Sequence, residues 1–224
     1  MMRRKDTIGL SQRVDLRGRP WGISGGGVGV IDPCPGLVVC DSFTDGDGVL
    51  LPNHLPEKGG PWTQGGLGSN ITIQSNEADL GDASEKHALL APSSYHVDVN
   101  VKGISAGAYG GMGLLFRGDL STGNCLIAAI CKGAKSQDVV VTRVTGWALV
   151  GGGLAAANAI LPAAGTWVKL EVIYTDTHIT VKVDDVTVIN NVPEATYGGQ
   201  TEIGIGHYPW SAETGMQWDL LRAW

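Results

Sequence analysis

Between residues 166 and 191 apolar and polar side chains alternate, and the stretch contains no glycine or proline. Val168 and Leu170 would share one face of an extended chain, whereas Lys169 and Glu171 would share the other. Because successive side chains of a β-strand point to opposite faces, this period of two predicts half-buried antiparallel strands. The pattern restarts after two polar turns, so it predicts a three-stranded meander with strands at residues 167–174, 179–183 and 186–189.

The same alternation recurs upstream. Val97 and Val99 alternate with Asp98 and Asn100, which predicts a strand over residues 95–102. Similar short segments, bounded by turn residues, predict further strands at residues 37–43, 71–75, 85–91, 112–117, 124–131, 138–145, 202–206 and 217–224.

One segment is a helix candidate. Residues 154–164 are rich in alanine, and Pro162 limits the length of any helix there. Many short strands with turns at regular spacing predict an all-β fold, an antiparallel two-sheet jelly-roll sandwich. By the alternation, its core includes Val97, Val99, Leu170, Val172, Val181 and Val183.

Composition divides the chain after residue 36. Residues 1–36 are rich in glycine and proline and lack periodicity, so they predict an extended arm and linker before a jelly-roll domain at residues 37–224. Residues 1–20 carry a charge of +4, which leaves −10 on the rest of a chain of net charge −6. A basic arm predicts docking on an acidic partner, whereas the net charge argues against direct binding of nucleic acid. The arm residues expected to contact the partner are Arg3, Arg4, Lys5, Arg13, Arg17, Arg19 and Trp21.

The beginning of the sequence has no apolar run of the kind that a signal peptide needs. No other segment is long and apolar enough to predict a membrane span. The chain is therefore expected to be made in a cytoplasm and to have no membrane partner.

Four cysteines are present. Cys125 and Cys131 fall in one predicted strand, about 20 Å apart, which is too far for a disulfide between them. Cys34 and Cys40 could close a small loop, but four buried thiols are the preferred interpretation. No cysteine spacing is typical of a zinc site.

Three stretches carry a resemblance to the concanavalin A-like and laminin-G-like jelly-roll superfamily. Residues 40–62, CDSFTDGDGVLLPNHLPEKGGPW, resemble its opening strand and loop. Residues 165–188 resemble its meander, and residues 216–224, MQWDLLRAW, resemble its closing strand. The resemblance implies that the closing strand pairs beside the opening strand.

The sequence departs from this family at Asp184-Asp185, where Asp-Gly is common. A type I′ turn needs positive φ at both central positions, which aspartate tolerates less well than glycine. A different turn type is therefore expected here.

A domain of this kind, made without a signal peptide and carrying a docking arm, resembles bacteriophage virion proteins. The resemblance implies a non-enzymatic structural protein of the virion, first a capsid decoration or minor capsid protein, and next a tail or fibre accessory protein. Its partners would be neighbouring virion subunits, in a homo-oligomer within an assembly, held through the arm. The alternative is a carbohydrate-binding module that acts in adhesion, and a glycan-cleaving enzyme is a third hypothesis.

The acidic residues do not form the Glu-x-Asp-x-x-Glu pattern of retaining glycosidases of this fold, so no catalytic residue is predicted. Asp45 and Asp47 could offer carboxylate oxygens to calcium. Loops with Asp-Gly are more often plain turns, because aspartate caps its own backbone. The turn is preferred here, and no cofactor or metal is expected.

A glycan site needs exposed aromatic rings beside side chains that form hydrogen bonds. The aromatic residues in loop-like stretches are Trp62, Trp147, Tyr208 and Trp210. The polar side chains expected on an outer sheet face are His96, Asp98, Asn100, Lys102, Arg117 and Arg143. Trp167 and Trp218 fall in predicted strands and are expected to pack in the core or on a sheet.

Overall fold

The computed structural model describes residues 34–66, 71–80, 86–103, 111–131, 138–159, 161, 163, 165–207 and 216–224. Residues 1–33 of the predicted arm lie outside this part of the chain, so the arm and its contacts stay a prediction. Residues 34–36 turn into the first strand, where the Leu37 N–H donates to the Cys34 carbonyl at 3.2 Å.

The described residues form fifteen strands and one short 3₁₀ turn, Leu51–Asn53. The strands are β1 (Val39–Asp41), β2 (Trp62–Gly66), β3 (Thr72–Gln74), β4 (Glu77–Asp79), β5 (Lys86–Ser93), β6 (His96–Gly103), β7 (Met112–Asp119), β8 (Asn124–Ile130), β9 (Val139–Thr145), β10 (Ala148–Ala157), β11 (Val168–Tyr174), β12 (His178–Val183), β13 (Val186–Pro193), β14 (Glu202–His207) and β15 (Met216–Ala223).

The strands build two antiparallel sheets, and the predicted jelly-roll sandwich is confirmed. The first sheet has the order β13-β12-β11-β6-β15-β4-β3, with β1 also paired to β15, and the second has the order β10-β9-β8-β7-β14-β5-β2. The predicted meander is β11-β12-β13, at one end of the first sheet. The closing strand pairs beside the opening strand as expected, with Val39 opposite Ala223 and Asp41 opposite Leu221.

The main core lies between the sheets, where alternation places the apolar side chains. In the neighbouring strands β6 and β11, Val97 lies opposite Val172 and Val99 opposite Leu170. Fully burying one such side chain stabilises the fold by about 1.5–3 kcal/mol. Trp218 is also fully buried. All six predicted core residues are buried: Val97, Val99, Leu170, Val172, Val181 and Val183.

The second sheet is apolar on both of its faces along its central strands. Leu114 and Phe116 of β7 pack in the main core. Leu115 of the same strand belongs to a separate apolar cluster, with Ile127 and Ala129 of β8. All five side chains are fully buried. The face of the second sheet that turns away from the main core is therefore not a polar, solvated surface along β7 and β8.

The helix candidate at residues 154–164 is a strand over residues 154–157. Residues up to Ala157 belong to β10, where Ala155 lies opposite Val141 and Ala157 opposite Val139 of β9. The helix preference of alanine is less than about 1 kcal/mol per residue, and pairing with β9 overrides it. Strands β2, β4 and β10 are missing from the sequence prediction. The first two have five and three residues, which are too few to show a clear alternation. In β10, consecutive glycines and alanines show no alternation. No helix in the described ranges is long and apolar enough to cross a membrane.

The expectation of a different turn at Asp184-Asp185 is also wrong. Their φ angles are 47° and 66°, so both residues have the positive φ that a type I′ turn requires. Side-chain contacts stabilise this conformation. The Lys169 N–H donates to Asp184 Oδ1 at 2.9 Å, and the Lys169 ammonium forms an ion pair with Asp185.

Cys34 and Cys40 form a disulfide, with their Cα atoms 6.1 Å apart, which corrects the interpretation of four thiols. The turn at residues 35–36 brings the two cysteines together, and the spacing of six residues alone does not predict this local turn. Cys125 and Cys131 keep their thiols and are fully buried, as predicted. Burial raises the pKa of the Cys125 thiol, so it is protonated at neutral pH.

A thiol reagent applied briefly to the native protein should label no cysteine, because Cys125 and Cys131 are buried. In denaturant without reductant two cysteines should react, and after reduction all four should. Mass spectrometry of the labelled chain counts them. Four labelled cysteines without reductant would show that the disulfide is absent.

Val172→Asp should prevent cooperative folding, because an unpaired buried carboxylate costs several kcal/mol against a total stability of about 5–15 kcal/mol. The matched control is Ile173→Asp, the next residue of β11, which is only partly buried on the opposite face and should still fold. Thermal unfolding followed by circular dichroism compares the two variants. Equal melting of both would mean that the inward face of β11 is assigned wrongly.

Candidate functional site

The outer face of the first sheet is polar along its central strands, β6, β11 and β15. Pairing places Glu171 opposite Asp98 on one side of β6, and Arg222 opposite Asp98 on the other. Because the inward positions of β6 and β11 hold valine and leucine, the alternate positions point outward. This surface is termed the polar face, and it consists of His96, Asp98, Asn100, Lys102, Trp167, Lys169, Glu171, Lys182, Gln217, Asp219, Arg222 and Trp224.

Two shielded carboxylates form the centre of the polar face. Glu171 accepts hydrogen bonds from Lys182 Nζ at 3.0 Å and from His96 Nε2 at 2.8 Å. Asp98 accepts two from the Arg222 guanidinium, at 2.8 and 2.7 Å. The carboxylate side chains are 8% and 3% exposed, whereas Lys182 and Arg222 are each 27% exposed, so the cations form the outer layer. Burial acts to raise the pKa of Glu171, but the bonds from Lys182 and His96 hold it below its usual value.

Trp224 is an exposed aromatic platform at one end of the polar face. Its ring stacks on the His96 imidazole, with 4.3 Å between centroids and 20° between planes. The Arg222 guanidinium lies 5.7 Å from its centroid. The Trp224 backbone N–H donates to the His96 backbone carbonyl at 3.1 Å, and the Trp224 backbone carbonyl accepts from Ser94 Oγ at 2.9 Å. These contacts fix the residue, which is nevertheless 44% exposed.

Trp167 and Lys102 occupy the opposite end of the polar face. Lys102 Nζ lies 4.3 Å from the centroid of the half-buried Trp167 ring and 3.0 Å from Glu77 Oε1. Between the two ends, burial raises the pKa of Asp219, and a hydrogen bond from Asn100 only partly offsets this rise. The polar face therefore has an indole at each end and hydrogen-bonding groups along its length.

Four of the polar residues predicted for an outer sheet face lie on the polar face, namely His96, Asp98, Asn100 and Lys102. The prediction is wrong for Arg117 and Arg143, which belong to β7 and β9 of the second sheet. Arg117 is fully buried and donates to the carbonyl oxygens of Thr175, Thr196 and His178. A register shift in β7 and a φ of 49° at Arg117 interrupt the alternation there.

Two predicted aromatic platforms pack against the protein itself. Trp62 is 3% exposed in β2, and its indole N–H donates to Asp41 Oδ2 at 2.7 Å, so its expected position in an exposed loop is wrong. Trp147 lies in the turn between β9 and β10 and is half-buried. Its ring is so close to Gly65 and Gly123 that a Cβ on either glycine would come within 2.3 Å of a ring atom.

The indoles of the polar face, Trp167 and Trp224, were not predicted as ligand contacts. Trp167 was expected to pack in the core or on a sheet, and Trp224 was only part of a predicted strand. Alternation finds Trp167, which continues the outward row of β11 just before that strand begins. It does not find Trp224, because a register shift between Asp219 and Arg222 changes which residues of β15 face outward. Tyr208 and Trp210, the other predicted platforms, lie outside the described residues.

Asp45 and Asp47, the candidate calcium ligands, are bound by backbone groups. Asp45 Oδ1 accepts from the Gly46 N–H and Asp47 Oδ1 from the Ser75 N–H, both at 2.7 Å. The bond of Asp45 lies within its own turn, whereas that of Asp47 connects its loop to the turn between β3 and β4. Within the described residues, no group of three or more His, Cys, Asp and Glu side chains is placed to hold a metal ion.

His54 connects the loop after β1 to the core through hydrogen bonds. Its side chain is buried, and Nε2 donates to Asp41 Oδ1 at 2.8 Å while Nδ1 lies 3.4 Å from Asp45 Oδ2. The fully buried Asp41 also accepts from the Phe43 N–H and the Trp62 indole. Burial acts to lower the pKa of His54, but the two carboxylates outweigh this effect and raise it.

A second candidate site lies at one end of the sandwich. Tyr95, Tyr174, Thr175 and Asp176 line an open depression of about 230 Å³. The Tyr95 hydroxyl donates to Asp176 Oδ1 at 3.2 Å, which raises the pKa of Tyr95, and the two tyrosine rings are 5.4 Å apart. Asp176 Oδ1 also accepts from the Gly199 N–H at 3.1 Å. The depression has one exposed ring but a single carboxylate, so it offers far fewer polar side chains than the polar face.

No family model matches the chain, and no curated protein matches it. Among solved structures, the carbohydrate-binding module CBM66 from Bacillus subtilis matches with a TM-score of 0.55 and 15% identity, over 74% of this chain and 97% of that chain. Domain 4 of AbnA, a GH43 extracellular arabinanase from Geobacillus stearothermophilus in complex with arabinotriose, matches with a TM-score of 0.51 and 16% identity, over 83% and 90%. The exoplasmic/lumenal domain of VIP36 in its Ca²⁺/Man3GlcNAc-bound form matches with a TM-score of 0.51 and 13% identity, over 72% and 81%.

These similarities show the fold, because at such identities one jelly roll is shared by proteins of many functions. The matched structures named above are a carbohydrate-binding module, an arabinanase domain and a glycan-bound lumenal domain. None of the three supports the virion prediction, which rests on the sequence alone.

The raised pKa of His54 predicts a pH-dependent contribution to stability. The contribution is fully present below the ordinary histidine value of 6.5, and it is lost as the pH rises through the higher value of the folded protein. The free energy of unfolding in urea should therefore fall with rising pH more steeply in the wild-type protein than in His54→Gln. Burial lowers the pKa of His87 to about 4, so the contribution of His87 to stability has the opposite pH dependence. This contribution is the same in both proteins, and subtracting one curve from the other removes it. A difference that stays constant or grows with pH would contradict the charged state assigned to His54.

Proposed function

We propose that this protein is a carbohydrate-binding module that holds glycans on the polar face. The observation that carries the proposal is Trp224, an indole fixed on His96 yet 44% exposed, beside side chains whose polar atoms are held by ion pairs. Sugars present patches of C–H groups between their hydroxyls. An aromatic ring flanked by hydrogen-bond donors and acceptors complements both parts of such a ligand.

The ion pairs hold N–H donors of the polar face in positions where sugar hydroxyl groups can accept from them. An arginine side chain has five N–H donors, and the Arg222 guanidinium uses two in its bonds to Asp98. Lys182 likewise has three N–H donors, and it is held in place by Glu171. Because these partners already restrict the side chains, a ligand that bonds to them loses less conformational entropy than it would on a mobile surface.

The other large sheet face does not suit this ligand. The second sheet carries Leu115, Ile127 and Ala129 on the face that turns away from the main core, and all three are buried. Apolar side chains of this kind leave sugar hydroxyls without partners, which is costly. Of the sheet faces in the described part of the chain, the polar face therefore fits a glycan better.

The structural neighbours support a glycan as the ligand. CBM66 is a carbohydrate-binding module, and the structures of AbnA domain 4 and VIP36 hold arabinotriose and Man3GlcNAc. This fold is thus compatible with sugar binding. The choice of the polar face in this chain rests on its own residues.

Binding without catalysis is the simpler role for the central carboxylates. Glu171 and Asp98 are both bound by cations, and the lowered pKa of Glu171 keeps it ionised at neutral pH. An ionised, ion-paired carboxylate is poorly suited to donate a proton to a glycosidic oxygen. The proposal is therefore a binding module rather than a glycosidase.

The assembly role predicted for the N-terminal arm is a separate hypothesis. It concerns residues 1–36, whereas the polar face is built by β6, β11, β12 and β15.

A glycan array probed with the full chain tests the proposal. Hits should appear, and in isothermal titration with a hit glycan Trp224→Ala should weaken binding by about tenfold, which corresponds to about 1.4 kcal/mol. The matched control is Tyr95→Ala, which removes an aromatic residue of similar exposure, 45%, from the depression at the end of the sandwich. It should leave binding unchanged.

Two outcomes would contradict this proposal. An array without hits would remove the support for a carbohydrate-binding function. Loss of binding in Tyr95→Ala, with normal binding in Trp224→Ala, would move the site from the polar face to the depression. Thermal melting of both variants verifies that neither result reflects unfolding.

A further inference from the structure

The two indoles of the polar face are far apart along one strand. Trp224 stacks on His96, and Trp167 lies against Lys102. His96 and Lys102 are six residues apart in β6, which corresponds to about 20 Å in an extended strand. A single sugar ring is much shorter than this span, so one monosaccharide cannot contact both indoles.

Between the indoles, His96 and the cations that cover the shielded carboxylates are exposed to a similar extent. The side chains of His96, Arg222, Lys182, Lys169 and Lys102 are all between 18% and 35% exposed. A pocket for one terminal sugar would instead concentrate its polar groups around a single depression. The polar face is therefore an elongated surface that runs along β6.

The charges along the polar face are compensated within the protein. Arg222 is paired with Asp98, Lys182 with Glu171, and Lys102 with Glu77. A polyanionic glycan would have to compete with these carboxylates for their cations, and it would meet the negative charges beneath them. A neutral chain can bond to the same groups without breaking any pair.

We infer that the polar face binds an extended segment of a neutral polysaccharide, several sugar units long, laid along β6 from Trp224 to Trp167. This inference rests on the proposed function and deepens it by naming the ligand class. Trp224 supports the sugar at one end and Trp167 with Lys102 the sugar at the other. The ion-paired side chains between them bond to the hydroxyls of the intervening units.

The test measures how the affinity of the protein for an oligosaccharide depends on the number of sugar units. Arabino-, manno-, xylo- and cello-oligosaccharides from the disaccharide to the hexasaccharide are titrated into the full chain, together with an oligogalacturonate hexamer as a polyanion. In at least one neutral series the affinity should rise by tenfold or more between the disaccharide and the hexasaccharide. The polyanion should bind more weakly than that hexasaccharide.

The two indoles are then removed separately. Trp224→Ala and Trp167→Ala should each weaken hexasaccharide binding by about tenfold, whereas the disaccharide should be sensitive to only one of them. Tyr95→Ala is again the control that should bind normally. Since Trp167 is half-buried, Trp167→Phe is the second variant, expected to fold and to keep most of the affinity.

The outcomes separate the inference from the proposed function. Affinity that levels off at the disaccharide, or hexasaccharide binding that is unaffected by Trp167→Ala, would overturn the extended site and leave a carbohydrate-binding module with one short site. Tighter binding of the oligogalacturonate would overturn the neutral ligand class. Binding to none of these probes would contradict the inference, and only an array without hits would contradict the proposed function as well.

Discussion

The pairing of β6 with β11 is the constraint on which the polar face depends. Val97 and Val99 must lie opposite Val172 and Leu170 for these side chains to reach the core. A shift of the register by one residue would turn every side chain to the other face. It would turn carboxylates such as Asp98 into the apolar core, away from their cations, and the valines out of it. The cost would exceed the stability of an ordinary domain. The positions of the outward groups are therefore a consequence of core packing.

This register places two carboxylates opposite each other, and cations from the neighbouring strands compensate their charges. It sets Glu171 directly opposite Asp98, and two like charges in such a pair are destabilising. Lys182 approaches from β12 on one side and Arg222 from β15 on the other, so the row reads cation, carboxylate, carboxylate, cation. The same contacts hold long side chains in fixed positions, which gives a ligand a surface with ordered donors.

The two sheets differ in the character of their outer faces. The first sheet has one apolar and one polar face along its central strands, whereas the second is apolar on both. In β14 of the second sheet, Gly204 brings its backbone so close to β5 that a Cβ there would lie 1.8 Å from the Ala88 carbonyl oxygen. The second sheet thus contributes close packing, and the first contributes the ordered polar groups along which we propose that glycans bind.

The sequence by itself determined most of the strands and their inward faces, because alternation is a local property of an extended chain. It located the meander, the six core residues and four members of the polar face from β6. It left residues 154–157 as a helix candidate, where pairing with β9 outweighs the helix preference of alanine. It failed at Arg117, where a register shift ends the alternation.

Only the tertiary structure decided which strands are neighbours. The stacking of Trp224 on His96, the pairing of Arg222 with Asp98 and the burial of Trp62 on Asp41 each join residues that are distant in sequence. Alternation states on which side of a strand a residue lies, but it carries no information about the adjoining strand. The candidate site is made of contacts between strands, and for this physical reason it emerged only from the order of the sheet.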